Sequence, residues 1–190
     1  MFKSFTLFVL SFATTLSSAS IIPAHSQLGR RVTTAGCPPV HVFGARETTA
    51  RPGFGQTKTM VNLILKNIPG STSEAIDYPA CLGTFDCGFV SYPKSVQAGT
   101  DAVTKQVTAF NQKCPDTQLV LLGYSQGAQI SDNVLCGGGD LQQGVLDKSI
   151  PVSPAALDKI KAAVFMGNPR FTNGQDFNAG SCTKSGVCPP

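Results

Sequence analysis

Short apolar runs alternate with longer segments in which apolar residues recur every three or four positions. The runs predict buried strands, and the spaced segments predict helices that each bury one face. The predicted strands are "VHVFG" (40–44), "EAIDYP" (74–79), "QLVLLG" (118–123) and "AAVFMG" (162–167). The predicted helices are 57–67, 95–110, 125–136 and 153–161. Strands and helices that alternate in this way predict an α/β domain with a central, mostly parallel sheet.

The N-terminal residues predict export of the chain. One lysine, Lys3, precedes the apolar stretch "FTLFVLSFATTL" and the small residues "SSAS". This order is typical of a secretory signal peptide, here 1–20, and a buried N-terminal helix is the alternative. Residues 21–31 end in Arg30-Arg31 and resemble a propeptide whose removal would also remove His25. We therefore expect a secreted, extracellular protein with a single domain over 32–190.

Composition excludes several classes of function. The formal net charge of +4 is not gathered into a basic run, so nucleic-acid binding is not expected. After the signal peptide, no apolar run is long enough to cross a membrane. The "GGGD" segment (137–140) lacks the Lys-Ser/Thr of a phosphate loop, and no His, Cys or carboxylate set has metal-ligand spacing. We expect no cofactor and no metal, and Cys182 and Cys188 are candidates for disulfides rather than zinc ligands.

The strongest chemical motif is a G-x-S-x-G sequence formed by Gly123, Ser125 and Gly127. It lies between a predicted strand and a predicted helix, which is the context of a nucleophile elbow in serine hydrolases. Ser125 is therefore the candidate nucleophile, and the backbone N–H of Gln126 is a candidate oxyanion donor. A second donor is expected from the loop 44–50, after the first strand. The alternative is a serine in an ordinary turn.

Four blocks in order resemble the cutinase-like family of fungal secreted serine esterases, in particular its acetylxylan esterase branch. They are "CPPVHVFGARETTARPGFG", "EAIDYPAC", "LVLLGYSQGAQISDNVLCGGGD" and "AAVFMGNPRF". The resemblance implies a lidless, three-layer α/β-hydrolase fold with a five-stranded sheet and a Ser-Asp-His triad. By position it assigns Ser125 as the nucleophile and Thr48 and Gln126 as oxyanion-hole residues. It implies a monomer that acts on acetylated xylan, with a cutinase-type polyester hydrolase as the alternative.

The chain departs from that family after its last predicted strand. The family places the triad Asp and His there, followed by a final helix, but nothing after Phe171 matches either residue. Asp176 is the only acidic residue beyond that point, and no histidine follows Ser125. Neither the triad Asp nor the triad His is found in this chain. We predict that the chain is truncated at its C-terminus and that the final helix is missing.

Three other polar residues have less specific interpretations. His41 alternates with valines inside the first predicted strand, where a packed side chain is expected rather than a catalytic base. Asp132 and Asp140 belong to the predicted elbow helix and its exit, where solvated or capping carboxylates are expected.

The seven cysteines are expected to pair in an exported chain, with one left over. The family resemblance, rather than spacing, implies which ones pair. The implied pairs are Cys37–Cys114, Cys81–Cys87 and Cys136–Cys188, with Cys182 unpaired.

Two further hypotheses compete with an active esterase. The chain is a catalytically inactive, truncated or degenerate member of the family, or it is a polysaccharide-binding module that keeps the groove without the chemistry. Under the first, residues 32–190 would hydrolyse p-nitrophenyl acetate no faster than a Ser125→Ala control. Under the second, the chain would bind xylan without hydrolysing it.

Overall fold

A computed structural model describes residues 36–137 and 139–186 of the chain. The predicted signal peptide (1–20) and propeptide (21–31) lie outside these residues. Four strands form one sheet in the described part of the chain, in the order β2-β1-β3-β4, and all neighbours are parallel. The strands are β1 (Val40–Ala45), β2 (Thr72–Ala75), β3 (Gln118–Tyr124) and β4 (Ile160–Met166). The predicted α/β class with a parallel sheet is confirmed.

Helices cover both faces of the sheet. They are α1 (Lys58–Asn67), α2 (Tyr92–Lys113), α3 (Gln126–Cys136) and α4 (Pro154–Lys159). Side chains alternate between the two faces of a strand, so each strand contributes to two cores. Val42 and Leu122 pack with Val61 of α1 on one face. Phe43 and Leu121 point to the other face, where α2, α3 and α4 enclose the larger core. The result is a three-layer arrangement.

The second strand differs from its predicted position. It was expected over 74–79, but β2 spans Thr72–Ala75. The chain leaves the sheet because its carbonyl groups bind a side chain instead of a neighbouring strand. Nη1 of Arg46 donates to the Ile76 carbonyl at 3.2 Å, and Nη2 of Arg46 donates to the Tyr78 carbonyl. Residues 76–80 thus form a loop above the carboxyl ends of the strands.

Two disulfides reinforce the loops around the sheet. Cys37–Cys114 joins the segment before β1 to the end of α2, with the Cα atoms 5.6 Å apart. Cys81–Cys87 closes the short loop between β2 and α2. Both are the pairs that the family resemblance implied.

The remaining cysteine assignments were wrong. Cys136 has a free thiol, so the expected Cys136–Cys188 pair is not formed, and Cys188 itself lies outside the described residues. Cys182 is disulfide-bonded rather than unpaired. The segment after β4 folds back on itself, because the Gly186 N–H donates to the Phe171 carbonyl at 2.8 Å. Cys136 is the last residue of α3, and its thiol is not bonded to another cysteine.

Candidate active site

Ser125 occupies a strained turn between β3 and α3. Its backbone has φ 52° and ψ −118°, a conformation that residues other than glycine rarely adopt. Three backbone hydrogen bonds hold it there. The Ser125 N–H donates to the Met166 carbonyl of β4 at 2.9 Å, and the Ser125 carbonyl accepts from the N–H groups of Ala128 and Gln129 at 2.9 and 3.0 Å. This is the strand–turn–helix geometry of a nucleophile elbow.

The two motif glycines are required by close backbone packing. A Cβ on Gly123 would lie 2.5 Å from the Ala128 Cα, inside the first turn of α3. A Cβ on Gly127 would overlap the Ala45 carbonyl and lie 2.6 Å from the Arg46 carbonyl oxygen. Backbone atoms cannot yield as flexible side chains do. The start of α3 therefore rests directly on the end of β1.

Gln126 is the first residue of α3, so its N–H has no acceptor within the helix. The side chain is fully buried and makes two hydrogen bonds. Its Oε1 accepts from the Ser95 hydroxyl at 3.0 Å, and its Nε2 donates to the Cys81 carbonyl at 3.3 Å. These bonds fix the orientation of the residue that directly follows Ser125. The Gln126 N–H is thus available at the positive end of the α3 dipole.

Thr48 lies in the loop after β1, at the same edge of the sheet as Ser125. In the parallel register Ala45 pairs with Gly123, so the carboxyl ends of β1 and β3 are adjacent. Thr48 is half-buried, and Thr49 takes a left-handed conformation with φ 65°. The Thr49 N–H donates to the Ala80 carbonyl at 2.6 Å. The structure therefore places the Thr48 loop at the same edge of the sheet as the Ser125 elbow and the first residue of α3, Gln126.

Arg46 anchors this loop, and the sequence motifs did not identify it. Its side chain is buried, and its Nε donates to the Ala50 carbonyl at 3.0 Å. With its bonds to the carbonyls of Ile76 and Tyr78, the guanidinium joins the loop after β1 to the loop after β2. The Tyr78 hydroxyl donates in return to the Arg46 carbonyl at 2.5 Å. A charged residue directly after a buried strand was the available signal.

The Tyr78 ring completes this anchor. The guanidinium carbon of Arg46 lies 4.9 Å from the ring centroid, within cation–π range. Burial raises the pKa of Tyr78 well above its ordinary value, although the nearby Arg46 charge opposes the shift. The phenol therefore stays protonated and remains a hydrogen-bond donor.

His41 lies at the opposite end of the sheet from Ser125. It precedes Ala45 by four residues of extended strand, which is about 13 Å. Its Nδ1 is 2.6 Å from the Thr72 hydroxyl, and its ring stacks on Phe110 with centroids 3.8 Å apart. Burial lowers its pKa to about 4. His41 is thus a packed, neutral strand residue in the structure and is not brought to Ser125.

Asp132 is neither the solvated nor the capping carboxylate that the sequence predicted, because it lies buried in the interior of α3. It is buried on α3, accepts a hydrogen bond from Asn168 Nδ2 at 2.6 Å and lies 3.7 Å from Arg170 Nη1. It therefore attaches the chain after β4 to the elbow helix. Asp140 is half-buried and accepts from Gln129 Nε2 at 2.6 Å.

Asp176 is exposed in the segment after β4. Over 36–137 and 139–186, no three His, Cys, Asp or Glu side chains gather closely enough to hold a metal ion. In the same ranges, no helix is both long and apolar enough to cross a membrane.

A surface depression of about 750 Å³ lies beside the Thr48 loop. Its walls are the segment 49–52 with Arg46, the segment 77–80, and Asp86 with Cys87. Arg51, Asp77 and Asp86 line it with charges of both signs, together with Tyr78 and two prolines.

Comparisons of this chain with known proteins agree on one family. The cutinase family model matches residues 36–187. Cutinase 11 of Verticillium dahliae is 53% identical over 161 residues, which cover 80% of this chain and 55% of that protein. Acetylxylan esterase of Hypocrea jecorina is 48% identical over 182 residues, which cover 92% of this chain and 60% of that protein. The chain thus spans a little over half the length of these two relatives.

A solved structure agrees. The catalytic core domain of acetyl xylan esterase from Trichoderma reesei superposes with a TM-score of 0.76 at 54% identity, over 77% of this chain and 71% of that one. Sequence and fold therefore point to the same group of proteins.

Proposed function

The chain belongs to the cutinase family, and we propose that it is a secreted carboxylic ester hydrolase with Ser125 as nucleophile. The observation that carries the proposal is the strained elbow at Ser125, with the N-terminus of α3 behind it and the Thr48 loop beside it. The strain is informative because a positive φ at a residue with a side chain costs free energy, and backbone strain of this kind clusters at active sites. Two disulfides in the described chain support an extracellular location.

In the proposed reaction, the Ser125 Oγ attacks the carbonyl carbon of an ester while a base accepts the hydroxyl proton. The N–H groups of Thr48 and Gln126 stabilise the negative charge that develops on the carbonyl oxygen. The ester C–O bond then breaks, the leaving alcohol takes the proton, and an acyl-Ser125 forms. Water hydrolyses this acyl-enzyme in a second, equivalent step and releases the acid.

We propose acetyl groups on xylan as the substrate. The support is the similarity to two acetylxylan esterases, those of Hypocrea jecorina and Talaromyces purpureogenus, each 48% identical. The depression beside the Thr48 loop offers both charged side chains and the ring of Tyr78, groups that can contact a sugar chain. The 53% identity to a cutinase favours one second candidate, a polyester substrate.

A chemical-rescue assay tests the role of Ser125. In this sequence no histidine follows Ser125, and His41 is held at the far end of the sheet. Exogenous imidazole can act as the base when a base is not in place. We expect negligible hydrolysis of p-nitrophenyl acetate by the chain alone, and imidazole-dependent hydrolysis well above that of the Ser125→Ala variant. The variant matters because imidazole itself hydrolyses this ester.

The outcomes separate the competing hypotheses. Equal rates for the two proteins at every imidazole concentration would contradict the proposed nucleophile. Xylan binding with no Ser125-dependent turnover would favour a polysaccharide-binding module. Acetate release from acetylated xylan, compared with release of hydroxy acids from a polyester, distinguishes the two substrates.

A further inference from the structure

The segment Ala80–Cys81 contacts both elements that supply the proposed oxyanion donors. The Ala80 carbonyl accepts from the N–H of Thr49, the residue after Thr48, at 2.6 Å. The Cys81 carbonyl accepts from the Gln126 side chain at 3.3 Å. These two residues, here called the clamp, therefore connect two donors that lie far apart in the sequence.

The clamp is itself held by one buried hydroxyl, that of Ser95. The Cys81 N–H donates to Ser95 Oγ at 3.0 Å, and the same hydroxyl donates to Gln126 Oε1 at 3.0 Å. With the bond from Gln126 to the Cys81 carbonyl, three residues form a closed ring of hydrogen bonds. All three are fully buried. Each polar group in this ring has its partner inside the ring, and water has no access to replace one.

Ser95 is well placed to hold the ring in position. It lies in the first turn of the 22-residue helix α2, and its N–H donates to the Ser91 carbonyl at 2.9 Å. The clamp needs such support because Ala80 has φ 52°, a left-handed conformation that costs free energy at a residue with a side chain. The rigid helix supplies the fixed point against which this conformation is maintained.

We propose that Ser95 is a positioning residue for the oxyanion hole. Through Gln126 and the clamp, it sets the orientation of the Gln126 N–H and its separation from the Thr48 N–H. This role rests on the proposed function. Removal of the hydroxyl leaves Gln126 Oε1 and the Cys81 N–H buried without a partner, and the segment moves to recover hydrogen bonds. The two donors then no longer converge on one oxygen.

Binding of a boronic acid tests the proposal. The Ser125 Oγ bonds to the boron of a boronic acid, the hydroxyl proton is released to the buffer, and the adduct is a tetrahedral anion. Its affinity therefore reports the oxyanion hole without a full turnover. We compare phenylboronic acid affinity in the wild-type chain and in the Ser95→Ala, Ser131→Ala and Ser125→Ala variants. Ser131 is the matched control, because its buried hydroxyl donates only to the Gly127 carbonyl within α3.

We expect Ser95→Ala to weaken boronate binding about tenfold, and to lower the imidazole-supported kcat by a similar factor with KM unchanged. Ser131→Ala should stay within about twofold of the wild type in both measurements. Equal effects of Ser95→Ala and Ser131→Ala would overturn the positioning role. If Ser95→Ala does not fold, Gln126→Met replaces it. That variant removes the bond from the Ser95 hydroxyl to Gln126 Oε1 and the bond from Gln126 Nε2 to the Cys81 carbonyl, and it keeps the Gln126 N–H. Unchanged affinity would then overturn the proposal.

The Ser125→Ala variant separates this inference from the proposed function. If it binds boronate as well as the wild type, Ser125 is not the nucleophile and the proposed function fails. If it loses binding while Ser95→Ala does not, only the positioning role fails.

Discussion

Replacement of Arg46 by methionine should destabilise the protein and damage the proposed oxyanion hole together. The guanidinium is 3% exposed and donates to three backbone carbonyls, those of Ala50, Ile76 and Tyr78. Methionine fills much of the same volume but donates nothing. Each carbonyl left without its partner costs about 1 kcal/mol at the lower end of the usual range, since Arg46 borders the depression and water can reach part of the space. We therefore expect a loss of about 3 kcal/mol in the free energy of unfolding.

Urea unfolding followed by far-ultraviolet circular dichroism measures this loss. The control is Arg51→Met, which removes the same charge from an exposed side chain five residues further along the same loop. That variant should remain within about 0.5 kcal/mol of the wild type. Arg46→Met should also weaken phenylboronic acid binding, because the loop that carries Thr48 loses the guanidinium bonds that join it to the loop after β2. Equal losses of stability in the two variants would show that Arg46 contributes only its charge, and would refute this account.

Two other predictions concern opposite ends of β1. The pKa of His41 falls from 6.5 to about 4 on folding because of burial, so the unfolded chain binds a proton first as the pH drops. The unfolding free energy should therefore decrease as the pH falls from 6.5 to 4, by at most about 3 kcal/mol. This decrease should be absent in His41→Gln. Equal pH slopes of the unfolding free energy for the two proteins, measured in urea titrations, would contradict the prediction. Gly127→Ala places a methyl group against the Ala45 carbonyl, so it should cost about 2 kcal/mol or more and abolish the imidazole-supported, Ser125-dependent hydrolysis. Wild-type activity of this variant in the imidazole assay would show that the packing of α3 on β1 is not required.

Elements with strong periodicity were predictable from the sequence. The first strand and the first helix were placed within a residue of β1 and α1, because alternating or spaced apolar residues determine which face is buried. The elbow followed from its glycines, since a motif between a strand and a helix specifies both the turn and its direction. These features depend on local sequence.

Features that depend on distant partners were not predictable. The second strand ended early because Arg46, some thirty residues away, takes the carbonyls of the following segment. Asp132 was expected to be a solvated or capping carboxylate, but it is buried against Asn168 and Arg170, which follow β4. In each case the deciding contact joins residues whose separation leaves no periodic signal.

The way in which the elbow is supported has a consequence for protein engineering. Its hydrogen bonds come from backbone N–H and carbonyl groups of β4 and α3, and its close packing comes from the backbone at the end of β1. None of these contacts involves the Ser125 hydroxyl. The reactive atom can therefore be exchanged, for cysteine or for a selenium or oxime group introduced chemically, while the main chain that presents it keeps its shape. The elbow thus fixes the main chain at position 125 independently of the reactive group that the side chain carries.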